Sequence, residues 1–129
     1  MGNDQDNYNA AFELIQDRRY LEAATAFQDF LEYFPGSPLS DNAQYWLSET
    51  FYVQRQFAEA LPEFQKVLDV YPQSAKLPDA LLKVGYCNYE LKQWDAARAA
   101  LRRVSRDFPD TTAARLAVQR LERLAEEAG

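Results

Sequence analysis

Apolar positions recur at intervals of three and four along nearly the whole chain, the spacing of helices with one buried face. The pattern predicts seven of them, over about 6–18, 21–34, 39–55, 58–70, 77–91, 95–108 and 112–127. The stretch from Asn42 to Tyr52 is representative. At about 100° per residue, Leu47 and Phe51 share one face with Ser48 beside them, while Tyr45, Glu49 and Tyr52 lie nearly opposite. One side is built for a core; the other, aromatic and polar, is read as partner-facing. Pro62 falls one turn inside the fourth stretch, where it removes a backbone donor and predicts a mild kink or a late start. Residues 1–5 read as a flexible tail, partly an appended start.

The stretches are not independent. Phe34-Pro35, Tyr71-Pro72 and Phe108-Pro109 are spaced 37 residues apart. In the same register lie Tyr20, Phe57 and Trp94, then Ala23, Ala60 and Ala97, then the small residues Ala11, Ser48 and Gly85. Each proline opens the phrase Pro-x-Ser/Thr-x5-Ala. The small residue lets two antiparallel helices approach closely. The aligned alanine faces the core of the second helix, and the aromatic before it plugs the near end of the pair. The aromatic-Pro step ends the second helix, because the residue before proline is disfavoured in α conformation. The following Ser or Thr is placed to cap the next helix. Pro38 and Pro78 fall near the first turns of the third and fifth helices.

A helix-turn-helix unit with these aligned positions resembles the tetratricopeptide repeat, whose usual period is about 34 residues. The expected architecture is an all-α tetratricopeptide repeat solenoid, a right-handed superhelix. It has three helix-turn-helix repeats of 37 residues (6–37, 38–74 and 75–111) and a C-terminal capping helix over 112–127, all in one domain spanning 6–127. The longer unit, with Asn42-Ala43-x-Tyr45-Trp46-Leu47 and the Pro-x-Ser/Thr phrase, resembles the C-terminal domain of the CpoB (YbgF) family of the Tol-Pal system over roughly Tyr8 to Leu124. Similar repeats occur in the outer-membrane assembly lipoprotein BamD.

Composition narrows the function. At 129 residues, 47% hydrophobic and 14% aromatic, the chain can build a continuous core. It holds no apolar run near the ~20 residues of a membrane span, and its start is too polar for a signal peptide. With no histidine, the Ser-His-Asp and Cys-His arrangements are excluded, as are histidine metal sites. The four glycines form no phosphate loop. Glu59 and Glu63 stand at i, i+4 on a solvated helix face. Cys87, the sole cysteine, reads as a small buried apolar residue and cannot form an internal disulfide. The expected protein is not an enzyme and takes no cofactor. Residues 1–74 carry 12 acidic and 4 basic side chains and residues 75–129 carry 8 and 10. An acidic front half disfavours nucleic acid.

In tetratricopeptide arrays the first helix of each pair lines a concave groove. The resemblance therefore implies a partner-binding groove of Tyr8 and Phe12, with Ile15 nearby, in repeat 1. Repeat 2 supplies Asn42, Tyr45, Glu49 and Tyr52, and repeat 3 supplies Asp79, Leu82, Tyr86 and Tyr89, with Lys83 at the margin. Trp46 and Val53 lie off this face and are placed to seal a neighbouring repeat. Tyrosine offers contact area at low rotamer cost, and Glu49 and Asp79 favour a basic partner. The basic clamp by which some co-chaperones hold acidic tails is not present: Tyr8, Phe12, Trp46 and Asp79 occupy its positions, and only Lys83 matches. Arg98, Arg102 and Arg106 form a stripe on the sixth helix that reads chiefly as solvated surface.

By resemblance, the chain would act in the periplasm, binding TolA and associating with a bifunctional penicillin-binding protein. It would coordinate peptidoglycan synthesis with outer-membrane constriction during division. The alternatives are a BamD-like scaffold subunit of outer-membrane protein assembly and a generic peptide-binding adaptor. This chain alone is expected to be largely monomeric, with trimerisation belonging to an upstream coiled coil and export to an upstream signal.

Overall fold

A computed structural model describes residues 2–128. They form seven α-helices: α1 (Asp4–Gln16), α2 (Tyr20–Tyr33), α3 (Ser40–Val53), α4 (Phe57–Val70), α5 (Leu77–Glu90), α6 (Trp94–Asp107) and α7 (Thr112–Ala128). Each helix packs on the next in sequence, and α1 with α3 and α5 with α7 also touch. The result is a stack of three helix pairs ending in an unpaired helix.

The first helix starts earlier than the residue pattern suggests. Asn3 accepts a hydrogen bond from the Asp6 backbone N–H and caps α1, which therefore begins at Asp4, two residues before the expected start. Pro62 does not delay α4, which begins at Phe57 and runs unbroken to Val70. Pro78 lies in the first turn of α5 as expected, whereas Pro38 lies in the turn before α3.

All three turns inside the pairs are built alike. Arg18, Arg55 and Lys92, 37 residues apart, adopt the left-handed conformation with φ of 61°, 61° and 60°. The residue after each donates its N–H five residues back: Arg19 to Leu14, Gln56 to Phe51 and Gln93 to Asn88. This is the Schellman termination, reached here without glycine.

The turns between pairs carry a second device. Ser37 and Ser74 do not cap α3 and α5; each lies upstream of its helix and accepts from a backbone N–H two residues on. Each hydroxyl also donates across the repeat, Ser37 to Asp4 and Ser74 to Asp41, at 2.6 Å. Asp4 and Asp41 stand at the start of α1 and α3, so the carboxylates also meet the positive end of the helix dipole. In the third repeat Pro78 takes the aspartate's place. Thr111 instead accepts from the Ala114 N–H and caps α7.

The small-residue register does what close packing requires. Ala11 and Ser48 are fully buried, and a Cβ on Gly85 would lie 2.6 Å from Leu101 Cδ2. In α7 the same register position is Glu122, which is exposed. Two core clusters, one around Phe27 and Phe30 and one around Phe64, Leu101 and Leu124, are bridged by Trp46 and Phe51.

Candidate functional site

The face read from the sequence as a groove is less free than its pattern implies. Tyr45 is only 7% exposed and stacks edge-on against Phe64 of α4 at 5.6 Å. Tyr89 is 6% exposed, meets Trp94 at 5.5 Å, and donates its hydroxyl hydrogen bond to Glu127 of α7. Leu82 is buried. These three are core residues, because in a stacked pair the first helix is flanked by its own partner, the preceding pair and the following one. A helix in that setting keeps only a narrow strip open, and α3 buries Gln44, Ser48 and Thr50 as well.

The remaining aromatics are partly occupied too. Tyr8, half-buried, packs edge-on against Phe27 and Phe30 and stacks on Phe12. Phe12 meets Trp46 edge-on at 5.2 Å, which makes Trp46 the seal between repeats 1 and 2 expected of it. Tyr52 packs on Phe57 at 5.4 Å and Phe64 at 6.2 Å. Tyr86 lies under the Arg120 guanidinium at 4.0 Å.

Cations cover these rings in a regular way. Lys76 stands 4.9 Å from the Tyr45 ring, Lys83 stands 4.2 Å from Tyr52, and Arg120 stands 4.7 Å from Tyr89. In every case the cation comes 31 residues after the tyrosine, on or just before the first helix of the next unit. The charge faces the negative ring face, and its aliphatic stem shields the ring from water. The 37-residue period relates the Tyr52–Lys83 pair to the Tyr89–Arg120 pair, while Tyr45 and Lys76 occupy a separate register.

The charge expected to select a basic partner is partly used internally. Glu49 accepts a hydrogen bond from Lys83 at 2.5 Å, and the two side chains are only 16% and 18% exposed. Asp79 and Asn42 are half-exposed. Burial, more than any neighbouring charge, pushes the Tyr52 hydroxyl up to about 12 and raises Tyr45 further, with Glu49 and Asp79 adding to the latter. Burial likewise raises Tyr86, opposed by Arg120.

The open part of the face is therefore a strip of half-exposed side chains: Phe12, Trp46, Asn42, Asp79 and Lys76, with exposed Val53 at its end. Lys76, Trp46 and Val53 were not among the groove residues read from the sequence, which set Trp46 and Val53 off this face. Lys76 precedes its helix, and no helical-face projection includes it. Elsewhere, Arg98 pairs with Asp95 and Arg106 pairs with Asp107, so two of the three arginines of the stripe are engaged in short local ion pairs, while Arg102 is exposed. Cys87 is fully buried, and burial pushes its thiol up to about 12. Among the described residues, no cluster of His, Cys, Asp and Glu could hold a metal ion, and no helix is long and apolar enough to cross a membrane.

Three stacked helix pairs with one closing helix, and small residues at each crossing, define a tetratricopeptide repeat solenoid. The chain belongs to the YfiO outer membrane lipoprotein family, whose model matches residues 2–127. It is also similar to cell division coordinator CpoB of Escherichia coli K12, with 44% identity over 52 residues, covering 40% of this chain and 20% of that protein. The Pseudomonas putida CpoB is 48% identical over 42 residues, 33% of this chain and 16% of that protein. The matched segments thus span a fifth or less of these curated relatives.

Among solved structures, the Sgt2 tetratricopeptide domain of Aspergillus fumigatus superposes with a TM-score of 0.78 at 14% identity, covering 99% of this chain and 82% of that one. The first such domain of Spaghetti (RPAP3), bound to the HSP90 peptide SRMEEVD, gives 0.78 at 13% identity, covering 95% and 90%. At this identity the likeness establishes the fold alone.

Proposed function

We propose that this chain is a non-catalytic protein-interaction module of the bacterial periplasm, which binds TolA of the Tol-Pal system. In that role it helps couple peptidoglycan synthesis, through a bifunctional penicillin-binding protein, to outer-membrane constriction during division. The similarity to CpoB supports this assignment. The observation that carries the binding role is the half-exposed strip running across successive first helices, Phe12 and Trp46 beside Asn42 and Asp79. Apolar rings there supply contact area, and the amide and carboxylate are positioned to read a peptide backbone or a basic side chain.

The test is a titration of the purified chain with the periplasmic part of TolA, by calorimetry or amide shifts. Saturable binding that weakens on Asn42→Ala and Asp79→Asn supports both partner and strip. Binding that survives both changes moves the site elsewhere, and no binding at high concentration removes the partner. This chain alone is proposed to be monomeric, and a concentration-independent trimer in light scattering would refute that.

A second reading is a BamD-like scaffold subunit of outer-membrane protein assembly. The outer membrane lipoprotein family match favours it. A lipid-bearing cysteine upstream of this segment would select it, and heptads upstream would select the first.

A further inference from the structure

Lys83 and Arg120 occupy the same register position, 37 residues apart, yet their charges are used differently. Each lies over a tyrosine of the preceding repeat, Lys83 over Tyr52 and Arg120 over Tyr89. Lys83 also reaches Glu49, and that pair is largely buried. The register equivalent of Glu49 in repeat 3 is Tyr86. Arg120 therefore meets a ring where Lys83 meets a carboxylate, its guanidinium 4.0 Å from the Tyr86 centroid. The missing acid is a property of position 86, in the interior of α5, and does not depend on where the chain ends.

Neighbouring elements do not supply that acid. Along α7 the positions three and four away from Arg120 are Leu116, Ala117, Arg123 and Leu124. Glu122 and Glu126 project from nearly the opposite side of the helix. The acids near this part of the face are engaged elsewhere: Glu49 accepts from Lys83, Glu90 lies 4.0 Å from Arg55, and Glu127 accepts from the Tyr89 hydroxyl and from Arg123. Arg120 itself makes no hydrogen bond or ion pair among the described residues.

Other cations without a salt bridge are placed differently. Arg102 and Arg115 are exposed, and Lys76, half-buried over Tyr45 and Trp46, has Asp79 one turn along. Arg120 is half-buried, and two rings fix its guanidinium and displace part of its water. Its N–H donors form a rigid fork that matches a carboxylate bidentately.

We infer that Arg120 receives an aspartate or glutamate side chain of the bound partner segment, in the place that Glu49 fills for Lys83. The partner segment is then mixed in charge, acidic at Arg120 and basic or amide-bearing at Asn42 and Asp79. This rests on the first-helix face being the binding face, and not on TolA being the partner.

The probe is a pentapeptide capped at both ends, Leu-Ala-Glu-Ala-Leu, with its glutamine counterpart. Titrated into the isotope-labelled full chain, the glutamate peptide is expected to move the Arg120 side-chain Nε–H and the Tyr86 ring signals saturably, and the glutamine peptide to bind about fivefold more weakly or less. Arg120→Gln should abolish that preference, and Arg120→Lys, which keeps the charge without the planar fork, should retain part of it. Arg102→Gln should leave it intact. Melting curves show that each variant is folded. The inference is overturned by equal binding of the two peptides, by a preference that survives Arg120→Gln, by shifts centred on Lys76, or by no saturable shift. It is also overturned if Leu-Ala-Gln with a free C-terminal carboxylate matches the glutamate peptide, because the anion is then a chain end. Failure of TolA to bind would leave this result standing, and equal peptide binding would leave the Asn42 and Asp79 test standing, so the two failures are distinguishable.

Discussion

Lys83 lies 2.5 Å from Glu49, a residue 34 positions earlier, and its ammonium stands over the ring of Tyr52. One side chain of repeat 3 thereby neutralises a carboxylate and shields an aromatic of repeat 2. Truncating it leaves Glu49 largely buried without its partner. Lys83→Ala is expected to lower stability by about 2 kcal/mol in denaturant unfolding. A double-mutant cycle with Glu49→Gln should return a coupling of about 1 kcal/mol or more, and a coupling near zero would show the pair to be incidental.

Tyr52 should behave as a packing residue despite its place on the groove face. Tyr52→Ala removes the contacts with Phe57, Phe64 and Lys83. It should cost about 2–4 kcal/mol and lower the melting temperature of the whole chain. An unchanged melting curve with reduced partner affinity would restore it to the binding strip.

Gly85→Ala reverses the usual helix rule. Alanine in a helix interior normally gains about 1 kcal/mol over glycine. Here the new methyl would lie 2.6 Å from Leu101 Cδ2 and 2.8 Å from its Cγ, so α5 and α6 must separate. The expected result is a loss of about 1–3 kcal/mol by chemical denaturation, and the Gly85→Ala, Leu101→Ala double variant should lose less than the sum of the two single losses, because the new methyl then fills space the leucine vacates.

The left-handed residues offer the opposite sign. Arg55, at φ 61°, carries a Cβ strain of about 1 kcal/mol that glycine lacks. Arg55→Gly should raise stability by a few tenths up to about 1 kcal/mol, the offset being glycine's greater unfolded-state entropy. Arg18→Gly and Lys92→Gly should act in the same direction. A destabilising result would mean that the Arg55 guanidinium, which lies over Phe57 at 5.1 Å, outweighs the backbone strain.

Alkaline titration should separate the tyrosines. An ordinary phenol ionises near 10, while burial holds Tyr52 at about 12 and Tyr45 higher. The folded state therefore keeps protons that the unfolded chain has lost. Its contribution is fully present below pH 10 and is lost as pH rises through 12. Stability should fall across that window, with the last phenolate absorbance appearing together with loss of helical circular dichroism. Early ionisation of all eight tyrosines in a folded protein would contradict the burial described for these two.

Much of the fold was legible in the residues because the repeat announces itself in small and aromatic positions that packing requires. Ala11, Ser48 and Gly85, the aromatics opening α2, α4 and α6, and the aromatic-Pro stops placed the helices within about two residues. Pro62 misled because a proline one turn in sacrifices a single hydrogen bond, which the packing of Ala60 and Phe64 outweighs. The groove was less legible. A projection of one isolated helix assigns two faces, but α3 and α5 are packed on three sides, so Tyr45 and Tyr89 became core residues.

Periodicity alone determined that this chain stacks helical pairs and where the close approaches fall, since both depend on which side chains share a face. Tertiary structure decided which of the groove tyrosines stay reachable and which charges are already spent. The cation over each ring and the partner of Glu49 arrive from the next repeat, more than thirty residues along the chain, and their positions depend on how one pair is set upon another.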